Sequence, residues 1–424
     1  MSLPEVSRIL HCPGAALLDR FREIGLTREF IRAMTLAGDN LRAPLTLTRP
    51  ARFMDEPAAF ALRLFFCAEP IEAALAAEAL GMELLSATRD AGLLIDAGAG
   101  RVRAPFHLRT VQDLYLFSDY LNGEPEAVMG AGETTAILFH AGRPSNPVGT
   151  ALDLGCGAGT LALLLSSDAG RVIGTDINPR AVALAQFNAA ANGRENVEFR
   201  EGDVYAPVEG ERFDVIVSQP PYYPGAGQVF LHGGLRGDEL AVRVVTGMLD
   251  HLTPAGRGVV FTSWPEDRAE IAHPSMRLLE LHTSRRELSG TRQAIDIIEH
   301  APEGEGWSAA FEAPADRWGN VDTADIDRLI AATELLRGPR EALLGASLNL
   351  PKGAVLLEED AQLYLNCPAD SLVGVAPIDQ ETWAVMAAVD AAPDVRTGLR
   401  KTNGEDALPV VARCLERGLL TVAG

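Results

Sequence analysis

The amino-acid sequence predicts an α/β chain, with a doubly wound parallel sheet at its centre, a helical module before it and an α+β module after it. Two observations point there. From about Gly149 to about Trp264, apolar runs of strand length alternate with helical stretches, and strands spaced by helices of this length pair in parallel. The composition changes at both ends of that region, first at the proline-rich turn RPSNPVG and again after about Pro302, where EGEGW and DRWGNVD begin. A chain of 424 residues and 45.2 kDa exceeds what one hydrophobic core usually holds. Three domains are expected, at 1–125, 126–302 and 303–424.

In the first domain, PAAFALRLFFCAEP and IEAALAAEAL have helical apolar spacing. MELLSATRDAGLLIDAGAGRVRAPFHL continues as a helix, a glycine-rich tip and an alternating strand. That order is winged-helix-like. Such modules read DNA in regulators, and in enzymes they cover substrates or form dimers. Its third helix carries only Arg89, beside Glu83 and Asp90, which argues against DNA reading.

The central domain begins with strand and turn in GTALDLGCG, followed by the helix TLALLLSS, the strand RVIGTDI and a proline-started helix PRAVALAQFNAAANG. NVEFREGDV and FDVIVSQPP are further strands. ELAVRVVTGMLDHL is a helix, closed by TPAGRG before the strand VVFTSW. MRLLELHTSRRE and RQAIDIIEHAP then read as two strands in succession, an antiparallel edge hairpin that brings the sheet to seven strands. The last domain includes AVLLEEDAQLYLNCP and ETWAVMAAVD and closes on DALPVVARCLERGLLTVAG. Its helix-Gly-Leu-Leu-strand ending echoes RDAGLLID, so a second winged-helix-like module is one reading of it.

Composition narrows the function. Hydrophobic residues make up 47% and charged residues 22%, ordinary for a folded protein. There is no apolar run of membrane-spanning length and no basic-then-apolar N-terminus, so a cytoplasmic protein without a membrane partner is expected. A net charge of -21 and a pI near 4.8 oppose capture of a phosphate backbone, which makes nucleic acid an unfavoured partner. Five scattered cysteines form no metal-ligand spacing; buried thiols and no metal are expected.

Three strand ends carry the chemistry. LDLGCGAGT, Leu152 to Thr160, places Gly155, Gly157 and Gly159 in a turn that lets backbone approach a nucleotide-like ligand at a helix start. A dinucleotide fingerprint would place its last glycine where Thr160 stands. Asp153, just before the turn, suits a ligand bearing an ammonium and a sulfonium better than a pyrophosphate. Asp176 ends the next strand about 20 residues on, where a carboxylate binds ribose hydroxyls. Asp203 ends the strand after that. Singly, each acid is an ordinary cap or turn residue; jointly, they line one crevice at the carboxyl edge of the sheet.

LDLGCGAGT, GTDINPRAV, REGDVY and FDVIVSQPPYY, in this order, resemble the class I S-adenosylmethionine-dependent methyltransferases, whose sheet is Rossmann-like. The last motif is similar to the Asn/Asp/Ser-Pro-Pro-Tyr/Phe box of the branch that methylates amino nitrogens, including release-factor glutamine and small-ribosomal-subunit guanine methyltransferases. The resemblance covers roughly Gly130 to Pro302 and implies S-adenosyl-L-methionine as cofactor. Asp153, Gly155, Gly157 and Gly159 would contact its methionine part, Asp176 with Ile177 the ribose, and Asp203 with Val204 the adenine. Gly130, in MGAGETT, would close the methionine end.

The box assigns acceptor-side roles. Gln219 would sit beside the methyl group. Pro220 and the proline after it would hold a rigid backbone whose carbonyls face the acceptor, since proline has no amide donor. Tyr222 would pack on the acceptor and favour the sulfonium through its π-face. In the following GAGQVFLHGGLRGDELA, His232 is a candidate for removing the acceptor proton, with Tyr223 and Arg236 as further acceptor contacts. The sequence departs from the family at Gln219. Its extra methylene would shift the amide by about 1.5 Å, against a tolerance near 0.5 Å, which points away from a planar amide or base nitrogen and leaves a hydroxyl, carboxylate, thiol or differently held amine open as acceptor.

The leading reading is methyl transfer to a heteroatom, nitrogen first, of a small-molecule or peptide-like metabolite, with the flanking modules building the acceptor pocket or a homodimer. The alternative is methylation of a protein glutamine or a ribosomal RNA base. A winged-helix regulator that senses the cofactor is the reading from another class.

Overall fold

The computed structural model describes residues 3–34, 51–120, 124–221, 239–265, 271–286, 291–313, 321–359, 362–367, 373–390 and 392–423. The chain forms two units, Met1–Phe139 with Asn146–Thr262, and His140–Ser145 with Ser263–Gly424. Among the described residues no helix is long and apolar enough to cross a membrane.

The first unit opens with helices α1 (Gly14–Glu23), α2 (Arg28–Met34) and α3 (Pro57–Ala61), the last running on as a π-helical turn to Phe66. Helices α4 (Ala73–Leu80) and α5 (Met82–Asp90) follow. Strands β1 (Ile71–Glu72), β2 (Ile95–Asp96) and β3 (Arg101–Arg103) make a small antiparallel sheet in the order β1-β3-β2. Helix α5 stops where Gly92 turns left-handed at φ 76°, and the Leu94 amide reaches back to the Thr88 carbonyl. A hairpin of β4 (Phe106–Val111) and β5 (Leu114–Asp119) ends this part.

Helix α6 (Glu133–Gly142) leads into the parallel sheet. Strands β6 (Val148–Leu154), β7 (Ala169–Asp176), β8 (Val197–Glu201), β9 (Phe213–Ser218) and β10 (Leu252–Pro265) pair in the order β10-β9-β6-β7-β8, every pair parallel. Between them run α7 (Thr160–Leu165), α8 (Pro179–Ala191) and α9 (Glu239–His251). The buried runs Ala151–Leu154 and Val215–Ser218 carry mostly apolar side chains in succession, as strands covered on both faces require. Strand β10 starts earlier than the sequence suggests: it includes TPAGRG, with a register shift between Leu252 and Arg257.

In the second unit, β11 (Met276–Arg286) and β12 (Thr291–His300) form the expected antiparallel pair. A further strand, β13 (Trp307–Ala313), pairs in parallel with the free side of β11, whereas the sequence reading ends the sheet at the hairpin. Buried Trp307 and Phe311 alternate with more exposed residues there, a short signal masked by the polar EGEG before it. Helices α10 (Thr323–Arg337), α11 (Arg340–Gly345), α12 (Gln380–Val389), α13 (Val395–Leu399) and α14 (Leu408–Glu416) surround a core that includes Leu344, Met386 and Val411. Asp322, Asp379 and Asp394 cap α10, α12 and α13 through their side chains. Strands β14 (Leu348–Asn349) and β18 (Thr421–Val422) pair, as do β15 (Val355–Glu359), β16 (Gln362–Asn366) and β17 (Val375–Ile378). All five cysteines are buried free thiols.

The core of the first unit crosses from the N-terminal helices into α8. Ring contacts run from Phe21 to Phe65 (5.1 Å), to Phe117 (6.2 Å) and to Phe187 of α8 (5.5 Å). Gly14 packs so closely that a Cβ there would lie 2.7 Å from that of Ala191. Polar attachments add direction. Asn188, fully buried, accepts from the Phe117 amide (2.8 Å) and donates to the carbonyls of Phe117 and Ala158 (both 2.9 Å). One turn later Asn192 accepts from the Tyr115 amide (3.0 Å) and donates to its carbonyl (2.8 Å). Two side chains, one within α8 and one at its C-terminal cap, thus do for the edge of β5 what a neighbouring strand would do.

Asn188→Ala strands one amide and two carbonyls in the core, at roughly 1–3 kcal/mol for each unpaired group. The expected loss is about 3 kcal/mol or more, read from urea unfolding. A loss below about 1 kcal/mol would mean that the strand edge finds other partners.

Candidate functional site

A cavity of about 420 Å³ opens at the carboxyl ends of the parallel strands, within the range of about 300–1,000 Å³ usual for small-molecule sites. The ends of β6, β7, β8 and β9 wall it, together with the segment Ala127–Ala131 and Leu240, Arg243 and Val244 of α9. The sequence-predicted residues Gly130, Asp153, Gly155, Gly157, Asp176, Ile177, Asp203, Val204, Gln219 and Pro220 all line it. Gly159 does not line it. A Cβ there would meet Ala185 and Phe199 at 2.9 Å, and its φ is 82°, so this glycine makes room for packing at the start of α7. Tyr222, Tyr223, His232 and Arg236 lie outside the described residues.

The glycine turn is braced from β7. The amides of Gly155 and Cys156 both donate to the Thr175 carbonyl at 2.8 Å. Asp176 accepts from the Gly157 amide through one oxygen and from the Asn178 amide through the other, each at 2.9 Å. Burial pushes its carboxyl above the ordinary range, opposed by these amide bonds. Asp153 is 1% exposed and accepts from the Ala162 amide of α7 at 2.9 Å. Desolvation, reinforced by the charge of Asp176, drives its carboxyl up to about 7. A cationic ligand is the natural complement to two such carboxyls.

Asp203 differs: half-exposed, it pairs with Arg243 at 2.9 Å, a surface pair worth about 0–1 kcal/mol. Val204 holds φ 48°, a left-handed conformation that costs a β-branched residue energy. Its neighbour Tyr205 is fixed by stacking on His251 at 4.4 Å and by donating to the Val244 carbonyl at 2.6 Å.

At the end of β9, Ser218 donates to the Leu154 carbonyl at 2.8 Å, tying two strand ends together. Gln219 donates through Nε2 to the Thr134 hydroxyl at 2.8 Å, so its carbonyl oxygen is the acceptor end of the side-chain amide. Sequence reasoning missed Thr134, although it lies in the quoted MGAGETT. It also missed Cys156, Asn178 and Arg243 among the cavity residues. The strand-end motifs bracket Cys156 and Asn178; nothing in the sequence distinguishes Arg243 from other charges on a helix face.

Residues 133–259 match the family model of the methyltransferase small domain. The release factor glutamine methyltransferase of Xylella fastidiosa is 36% identical over 166 residues, 36% of this chain and 58% of that protein. The ribosomal protein uL3 glutamine methyltransferase of Bradyrhizobium diazoefficiens is 29% identical over 173 residues, 37% of this chain and 53% of that one. The ribosomal RNA small subunit methyltransferase C of Citrobacter koseri is 40% identical over 96 residues, 21% and 28% of the two chains. The chain spans at most about six-tenths of the length of these curated relatives. Its α/β domain is a class I S-adenosylmethionine-dependent methyltransferase domain, of the branch in which these relatives fall. The cofactor of that domain is S-adenosyl-L-methionine, and the glycine-walled cavity with its buried carboxyls fits such a cation-bearing nucleoside.

Asp153 supplies a pH test. In the unfolded chain its carboxyl ionises near 3.8; in the folded protein, near 7. Between those values the folded state holds a proton that the unfolded state releases, so this group's contribution to stability falls as pH rises. Asp153→Asn can still accept from Ala162 and cannot ionise. Its urea midpoint should rise relative to wild type between about pH 4 and pH 8. A constant difference would show that Asp153 ionises normally in the fold.

Proposed function

We propose that the protein is a methyltransferase that uses S-adenosyl-L-methionine to methylate an amide nitrogen of a protein side chain, with glutamine as the favoured acceptor. Two of the relatives named above are protein glutamine methyltransferases, which supports a macromolecular acceptor over the small metabolite that the sequence alone favours. The observation that carries the reading is Gln219: it lines the cavity at the end of β9, its amide nitrogen is bonded to Thr134, and Pro220 and Pro221 follow.

The cofactor supplies an electrophilic methyl group; the residues supply position and charge. Asp153 would face its ammonium and Asp176 its ribose, while Asp203 and Val204 would border the base. On the acceptor side, the Gln219 carbonyl oxygen and the Pro220 carbonyl would accept the two N–H bonds of the incoming amide. An amide nitrogen is a poor nucleophile because its lone pair is delocalised. Two acceptors on its hydrogens raise its electron density and aim it, and alignment at about 3 Å supplies much of the acceleration; as the N–C bond forms the methyl's bond to sulfur breaks, and the nitrogen releases one of its two protons to solvent. The roles of Tyr222, Tyr223, His232 and Arg236 rest on the sequence motif alone.

A second reading, methylation of a ribosomal RNA base, is favoured by the Citrobacter relative; the net charge of -21 works against it. To decide, the protein is incubated with S-adenosyl-L-methionine carrying a tritiated methyl group, plus release factors, ribosomal proteins and ribosomal RNA. Label on a protein glutamine is expected. Label confined to RNA would move the acceptor to a base, and label in neither would overturn the proposal.

Two variants should separate the halves of the site. Gln219→Ala should lower kcat roughly a hundredfold with cofactor Kd little changed. Asp176→Ala should weaken cofactor binding by roughly ten- to a hundredfold in calorimetry. Equal losses of both properties in both variants would dissolve the distinction.

A further inference from the structure

The wall Ala127–Ala131 belongs to neither a helix nor a strand, yet it is fixed by groups outside the sheet. Asp119, at the end of β5, accepts from the Val128 amide through Oδ2 at 2.9 Å, and its own amide donates to the Val128 carbonyl at 3.0 Å. The same carboxylate takes both arms of the Arg180 guanidinium, Nε at 2.7 Å and Nη2 at 2.5 Å. Arg180 also donates to the Pro4 carbonyl and lies over the Phe106 ring at 5.7 Å. The two charged side chains are 1% and 9% exposed. One residue before the wall, the Glu126 carbonyl accepts from Asn178 at 3.0 Å.

A buried ion pair is weak evidence for stability, because desolvation offsets the attraction and an apolar pair of similar volume often does as well. This pair has a further effect that an apolar pair lacks: its carboxylate holds Val128. We propose that Asp119 is a positioning residue for cofactor binding, with Arg180 fixing its orientation so that the N-terminal hairpin sets the wall of the methyl-donor cavity. The inference rests on the cofactor reading of that cavity. It gives the helical N-terminal module a part in building the methyltransferase site itself.

The experiment compares wild type with the double variant Asp119→Leu/Arg180→Met, measuring the urea midpoint and calorimetric Kd for S-adenosylhomocysteine. If the pair positions the wall, the double variant folds with a urea midpoint lowered by no more than one unpaired buried amide costs, while Kd weakens by roughly ten- to a hundredfold, the scale of one charge-assisted hydrogen bond. A stable double variant with wild-type Kd overturns the proposal. Hydrogen exchange of the wild type decides independently if the variant does not fold. The Val128 amide should be protected and slowed further by S-adenosylhomocysteine; a Val128 amide that exchanges like an open loop overturns the clamp. Failure of the wild type to bind S-adenosylhomocysteine would instead refute the cofactor reading.

Discussion

Helix α8 must satisfy buried polar groups on three neighbours at once, and the shape of the cavity depends on that requirement. Its Arg180 pairs with Asp119, Asn188 closes the edge of β5 and reaches Ala158 in the glycine turn, and Asn192 completes the same edge at Tyr115. An unpaired polar group costs far more when buried than its partnered form contributes, so these bonds restrict the helix to one rotation and one height. Apolar packing of Phe187 and Leu184 alone would tolerate a shift. Because Asn178 and Ala181 at the start of the same helix line the cavity, fixing α8 fixes part of the site.

A second constraint is electrostatic. Two desolvated carboxyls, Asp153 and Asp176, stand near the glycine turn; burial raises both, and the charge of Asp176 adds to the cost of ionising Asp153. A pyrophosphate at that turn would add like charge to a low-dielectric site, whereas a cation relieves it. This separates the turn from the dinucleotide-binding version of the same strand-turn-helix geometry without reference to any motif. The positive φ of Val204 is consistent with a region whose backbone is held by its neighbours, here the Tyr205–His251 stack.

Legibility in the sequence followed the distance over which the signal acts. The parallel strands, the glycine turn and the three acids at strand ends were readable because each is a pattern within a few residues, repeated at a spacing that topology explains. Gly159 shows the limit of motif reading: it stands in the run with Gly155 and Gly157, but the Phe199 ring, 40 positions away, accounts for it. The Asp119–Arg180 pair joins residues 61 apart and Gln219–Thr134 residues 85 apart; no periodicity connects such partners. Asn188 did leave a trace. Asparagine inside a helix opposes helix propensity, and such a conflict between local preference and structure marks a side chain with a partner elsewhere.

Gln219 resolves in the same physical terms. Read against an asparagine box, its additional methylene places the amide too far forward if it extends freely. The structure instead ties Nε2 to Thr134 at the start of α6, so the added length is taken up by a sideways bond. A longer side chain with a second anchor can present a carbonyl as definitely as a shorter one without it, since the anchor removes the rotamer freedom that length adds. Under the acceptor role proposed for Gln219, the box is a position for an oriented carbonyl rather than a set of residue types. What sets its geometry in this chain is the pair formed by β9 and the MGAGETT segment, and that segment begins with the wall held by Asp119.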